Sequence, residues 1–297
     1  MTDTSVLSSL SQALSGLASN ARGYLAEVLP KDGDPVTGIV WKPSAVVVSE
    51  QTLSDAPEYE VRVGDRAVVA ELAGRDPGTN VAVLRLKSEI PNPLPPFAVP
   101  SVGALALSLG WSSEGVSARL AMVHFAGAAW QSLAGGTIDH RIVLDRNLGP
   151  GDDGNAVIGA DGALFGMSTL GARRKSLVIP AATVERAATM LLEKGSVERG
   201  WLGVALHPVA IPETLRPDAS QRVGLMVMEV AAEGPAAKAG VLAGDILLSA
   251  GGTPATRPRH IARQLGANSV GKRLALTIAR AGSIVTSEAT IEARKSA

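Results

Sequence analysis

The stretch from Gly149 to Val157, GPGDDGNAV, sets two adjacent carboxylates, Asp152 and Asp153, among glycines. Two carboxylates can share a proton and activate water, but such a dyad needs side chains that converge from two loops. Neighbours in sequence often point apart, so a turn-capping or solvated pair is the competing reading. The glycines permit the tight backbone of a loop that presents a side chain for chemistry. Histidine is the other source of acid–base chemistry near neutral pH, and the chain has four, His124, His140, His207 and His260. Asp139 directly precedes His140, an arrangement that serves a catalytic pair or, more commonly, a structural histidine. No histidines are paired at ligand spacing, and there is no cysteine, so the sequence offers no thiol nucleophile, disulfide or cysteine zinc site. No metal and no cofactor are expected. Arg173, Arg174 and Lys175 form a short basic run that suits either an acidic partner or a solvated turn.

These groups need elements to hold them. From Val36 to about Pro180 the chain is a series of short apolar runs bounded by turn residues, among them SAVVVS, YEVRVG, NVAVLRL, ALALSLG, RIVLD, NAVIG, ALFGMST and SLVIP. Strands at this spacing, without helical periods between them, indicate an all-β barrel or sandwich. A helix follows, with Thr183 as its cap, Val184, Ala188, Leu191 and Leu192 on its apolar face, and Gly195 to end it. After the linker GSVERG the texture changes to strands, a small alanine-rich helix, a second helix near 258 to 265 and a terminal hairpin, which implies a separate compact module. At the other end, Leu7, Leu10, Leu14, Leu17, Ala21, Tyr24 and Val28 alternate steps of three and four. That spacing predicts an amphipathic helix over residues 1–30, packed on its own domain or forming a seam with another subunit.

Composition bounds the rest. A chain of 297 residues accommodates two domains with their own cores. Lys plus Arg and Asp plus Glu both total 28, so no net field favours nucleic acid or anionic lipid. No stretch is long and apolar enough to span a bilayer. The first residues have no basic leader, which points to the cytoplasm, or to the periplasm if a leader has been removed.

The segments RGWLGV and AAEGPAAKAGVLAGDILLSAGG closely resemble the PDZ domain of HtrA (Deg) family trypsin-like serine proteases, and LVIPAATVERAATMLLEKGSVERGWLGV resembles the junction between barrel and PDZ in that family. The resemblance implies a mostly β fold: a chymotrypsin-like double β-barrel over 31–197, then an α+β PDZ domain over 198–297. It also implies a triad of histidine, aspartate and serine, because a hydroxyl attacks an amide only when a positioned imidazole takes its proton. On the family's motifs, AVVVSEQTL places Gln51 at the histidine, RDPGTNVAVLRL places Asn80 at the aspartate, and GPGDDGNAV places Asp153 at the serine, with Asn155 and Ala156 replacing glycine and proline. Glutamine cannot act as a general base, asparagine carries no charge, and an aspartate would put its charge where an oxyanion should be held. By this resemblance no catalytic residue remains, and Asp153 is expected to dock on the old oxyanion N–H groups.

The PDZ half retains its features. The resemblance places a carboxylate-binding loop at Trp201, Leu202, Gly203 and Val204, with Val204 opening the accepting strand and Ile261 and Leu265 forming the other wall of a groove for protein C-termini. The leading expectation is a pseudoprotease that acts as a scaffold, chaperone-like factor or assembly subunit, homo-oligomeric and trimeric by resemblance. The alternatives are an active serine-type endopeptidase and a purely structural subunit of a larger complex.

Overall fold

A computed structural model describes residues 4–293 apart from 32, 92–93, 113, 133, 150, 172–174, 216–220 and 267–268. The chain divides into two compact units, Met1–Val197 and Glu198–Ala297.

In the first unit, helix α1 (Thr4–Asn20) precedes β1 (Leu25–Pro30), β2 (Val36–Lys42), β3 (Ala45–Ser49), β4 (Tyr59–Val63), β5 (Arg66–Asp76) and β6 (Val81–Leu86). These strands close into a barrel in the order β1-β2-β3-β6-β5-β4. Next come β7 (Leu105–Ser112), β8 (Gly115–Gly127), β9 (Trp130–Gln131), β10 (Thr137–Ile138), β11 (Arg141–Asn147), β12 (Ala156–Gly159), β13 (Leu164–Leu170) and β14 (Lys175–Pro180). Here β11-β14-β13-β12-β7-β8 close a second barrel, while β9 and β10 pair separately. Helix α2 (Ala181–Lys194) follows.

The sequence pattern explains which strands face what. Strand β4 alternates buried and exposed residues, as a strand with one wet face must. Strand β3 is buried throughout, because its two faces enter different cores. Val46 and Val48 fill the first barrel, whereas Ala45 and Val47 join a core shared with Leu109, Met167, Val184 and Leu191 of the second barrel and α2. The interior of the second barrel holds Val123, Ile142, Val157 and Val178. The shared core locks the two barrels together and so fixes the loops that meet between them.

Several expectations change. The amphipathic helix of residues 1–30 stops at Asn20, and Leu25–Pro30 is a barrel strand. Leu14, Leu17 and Ala18 pack on the shared core. Of the residues read as the continuation of the seam, Tyr24 joins the shared core and Val28 the interior of the first barrel; burial pushes the Tyr24 phenol up to about 12. A strand with two buried faces shows no period of two, so its apolar residues passed as helical spacing. Strand β8 went unread because serine, arginine and histidine interrupt its apolar residues. Thr183 does not cap α2; Pro180 occupies the N-cap position without a side-chain cap, and the Thr183 hydroxyl inside the first turn donates to Asp139 Oδ2 at 2.8 Å. Gly195 ends the helix in the left-handed region, φ +72°.

The second unit comprises β15 (Gly200–Trp201), β16 (Val204–Ala210), β17 (Val223–Val230), α3 (Pro235–Lys238), β18 (Ile246–Ala250), β19 (Thr253–Pro254), α4 (Pro258–Ala262), β20 (Arg273–Arg280), β21 (Ser283–Thr290) and β22 (Glu292–Ala293). The main sheet runs β16-β17-β18-β20-β21, with β19 on β18. Leu225, Val227, Leu247, Leu276 and Ile278 form its core. Asp245, almost fully buried, accepts from Leu242 N at 2.8 Å and from both Nε and Nη2 of Arg280 at 2.7 and 2.6 Å. Burial alone would raise its pKa, but the Arg280 guanidinium and the Leu242 N–H hold it below the usual carboxylate value.

Candidate functional site

The loops that join strands at the barrel interface carry the residues singled out in the sequence. Gln51 sits on a single 3-10 turn, Glu50–Thr52, directly after β3. Asn80 ends the turn between β5 and β6 with φ +56°, a left-handed conformation that asparagine tolerates. That turn is shaped by buried Asp76, which accepts from Gly78 N at 3.1 Å and from Thr79 Oγ1 at 2.6 Å. Asn80 Oδ1 accepts from Gln51 N at 2.9 Å, and Asn80 Nδ2 donates to Thr169 Oγ1 on β13 at 2.6 Å. The first two positions are therefore tied to each other and to the second barrel.

Asp153 completes the cluster. Its Oδ2 accepts a short hydrogen bond from Gln51 Nε2 and a second from Leu170 N at 3.2 Å. Gln51 Nε2 also reaches Thr169 Oγ1 at 3.3 Å. Gln51, Asn80 and Asp153, drawn from three separate stretches of sequence, thus lie in one network through Thr169. Asp153 does not dock on N–H groups of its own loop as expected; it turns across to β13. Among the described residues its Oδ1 is buried without a hydrogen-bond partner.

Asp152 goes the other way. It is 3% exposed and accepts from Gly149 N at 2.7 Å, Arg146 Nη2 at 2.7 Å and Arg119 Nε at 2.9 Å. The adjacent carboxylates part, so they form no proton-sharing dyad; Asp152 instead pins the loop from inside. Asn155 secures its far end, with its backbone N–H donating to Ser168 Oγ at 3.0 Å and Nδ2 donating to Ser108 Oγ at 3.4 Å. A Cβ on Gly110 would lie 2.4 Å from Asn155 Oδ1, so glycine there makes room for this amide.

Asp139 is engaged with α2: Arg186 Nη1 donates to it at 2.7 Å, alongside the Thr183 hydroxyl. It is therefore committed to that helix and not to His140. A cleft of about 780 Å³ adjoins the cluster, with Gln51, Asn80, Trp130, Arg141, Thr169 and Lys175 among its lining. Lys175 of the basic run is on this lining, whereas Arg173 and Arg174 lie outside the described residues. Neither carboxamide in the cluster can take a proton, so what it offers chemically is donors, hydroxyls and one carboxylate. Thr169, Leu170, Arg119 and Arg146 were not singled out in the sequence, because their partners are distant in the chain and no spacing marks them. Among the described residues no three acidic or histidine side chains group as a metal site.

In the second unit, Gly203 adopts φ +75°, with its carbonyl accepting from Ala231 N at 2.8 Å and the Leu202 carbonyl accepting from Ala236 N at 2.9 Å. Leu202 and Ile261 are core residues, 2% and 3% exposed, while Val204, Leu206 and Leu265 are half-buried against that core. Trp201 pairs with Glu292 across β15 and β22 and packs its ring over Gly203. Among the described residues β16 has a neighbour on one side only, so the loop leads into an open sheet edge.

Comparison with known proteins agrees with this geometry. The PDZ domain model matches residues 200–291. The chain is 27% identical over 282 residues to a probable periplasmic serine endoprotease DegP-like of Brucella suis, covering 89% of this chain and 54% of that protein. It is 29% identical over 257 residues to the protein so named in Pseudomonas fulva, covering 82% and 53%. The chain spans about half the length of the curated relatives it matches. Among solved structures, the HtrA-type protease AlgW with decapeptide superposes with TM-score 0.75 at 22% identity, covering 96% of this chain and 99% of that one. The serine endoprotease from Yersinia pestis gives TM-score 0.75 at 22% identity, with 96% and 98% covered. The fold is thus mostly β, two six-stranded chymotrypsin-like barrels followed by a PDZ domain. In sequence the chain is similar to proteins named probable periplasmic serine endoprotease DegP-like, and in fold to HtrA-type proteases.

Proposed function

We propose that this chain is a catalytically inactive HtrA-like protein that works as a binding scaffold, chaperone-like factor or assembly subunit, with its PDZ domain reading protein C-termini. The observation that carries this reading is Gln51, whose side-chain amide donates to Asp153. In the working enzyme of this class the group at that place accepts a proton from a hydroxyl, which a carboxamide cannot do. Asn80 supplies no charge to stabilise an imidazolium, and Asp153 Oδ2 is already occupied by two donors. The open edge of β16 beside the Gly203 loop supports the binding half of the proposal. Homo-oligomeric assembly belongs to the same proposal.

The names of the relatives favour a rival reading, an active serine-type endopeptidase, and one experiment separates the two. The full chain is incubated with unfolded casein and, in parallel, with a fluorophosphonate probe. No fragments and no labelling are expected. Turnover that disappears in Asp153→Ala overturns the proposal.

A further inference from the structure

This inference rests on the reading of the second unit as a C-terminus reader and concerns how much of a terminus it reads. Successive residues of an extended strand send their N–H and C=O groups to opposite sides. Gly203 O accepts from Ala231 N and Ile211 N donates to Arg222 O, so at both ends of β16 the odd-numbered residues face β17. The register shift in this pair does not disturb that alternation. Ala205 stands opposite Glu229 and Leu206 opposite Val227, which leaves the extra residue, Met228, on β17. Val204, Leu206, Pro208 and Ala210 therefore turn their backbone groups to the open edge. Pro208 agrees with this, since it has no N–H to give to β17.

A peptide whose carboxylate sits at the Leu202–Val204 loop runs antiparallel to β16, because β16 leads away from that loop. Its last residue lies opposite Val204 and its third-last opposite Leu206. The fifth-last meets Pro208, which offers a carbonyl but no donor and sets its ring where the incoming backbone would approach. We propose that Pro208 ends the accepting edge, so that this domain recognises a free carboxylate and only about the last four residues before it.

The test uses the full-length chain. A randomised library of peptides with free C-termini and an apolar last residue supplies the best four-residue tail, which is then made four, six and eight residues long by adding alanines upstream. Fluorescence polarisation should show affinities within about twofold across the three lengths. Pro208→Ala should tighten the eight-residue peptide about fivefold, the worth of one hydrogen bond, and leave the four-residue peptide unchanged. A gain above about twofold with length in the wild-type chain overturns the inference alone, and so does P208A that leaves the eight-residue peptide unchanged. Absence of binding by every free tail, or binding indifferent to C-terminal amidation, overturns the C-terminus reading and this inference with it.

Discussion

The barrel cluster and the edge of β16 treat their polar groups in opposite ways. Around Gln51 and Asp153 the side chains answer one another: amide to carboxylate, amide to hydroxyl, backbone N–H to carboxylate. A ligand entering there must break bonds that the protein already makes. Along β16 the backbone groups of Val204 and Leu206 face outward and exchange water for a strand at small cost. The comparison teaches that one chain can pair most of the polar side chains of one cluster with each other while leaving the backbone groups of a strand edge unpaired with any neighbouring strand among the described residues.

The sharpest way to break this contrast is to rebuild the first site. Gln51→His with Asn80→Asp and Asp153→Ser should raise fluorophosphonate labelling at least ~100-fold over Asp153→Ser alone, because a hydroxyl without a base stays protonated. Equal labelling of the two variants would show that these positions do not act together. A second route undoes the loop's internal clamp. Asp152→Ala leaves Arg146 without its buried partner and should cost the barrels about 3 kcal/mol, read as a melting temperature lower by about 6–12 °C.

In the second unit, Asp245→Asn should destabilise by about 2 kcal/mol at pH 7, the scale of charged hydrogen bonds to Arg280. The folded pKa of Asp245 lies below its unfolded value, so its contribution is present above about pH 4 and fades as pH falls through the folded value. Urea titrations of both proteins should therefore show their stability difference narrowing as pH is lowered from 7 to 3. Gly203→Val should weaken C-terminal peptides about tenfold, since its Cβ would stand 3.1 Å from the Trp201 ring at a backbone φ of +75°. The smallest effect belongs to α1. Val6, Leu7 and Leu10 are exposed, so changing them to serine should alter stability by less than about 0.5 kcal/mol, whereas a fall in solution mass would mark them as an assembly seam.

Much of the fold was legible because barrel strands announce themselves. Runs such as Ala45–Ser49 and Val81–Leu86 are short, β-branched and bounded by turns. The C-terminal module was equally plain from its glycine-bearing loop and small helices. Leu25–Pro30 was not, since a strand buried on both faces has no alternation to read. The site was legible as positions but not as a network. Motif context singled out Gln51, Asn80 and Asp153, yet the partner that joins them, Thr169, lies in a strand without any distinguishing residue type.

What the sequence by itself determined was chemistry carried by residue type. It decided that no thiol is present, that position 51 bears a carboxamide, that charge is balanced, and that Pro208 lacks an N–H. The tertiary structure alone decided direction. Whether Asp153 turns to its own loop or to Leu170, whether Asp152 joins it or opposes it, and whether Pro208 faces β17 or the open edge all depend on contacts between distant segments. The physical reason is that side-chain chemistry is local, whereas hydrogen-bond geometry is set by which strands close the barrels and which strand is left at the edge of a sheet.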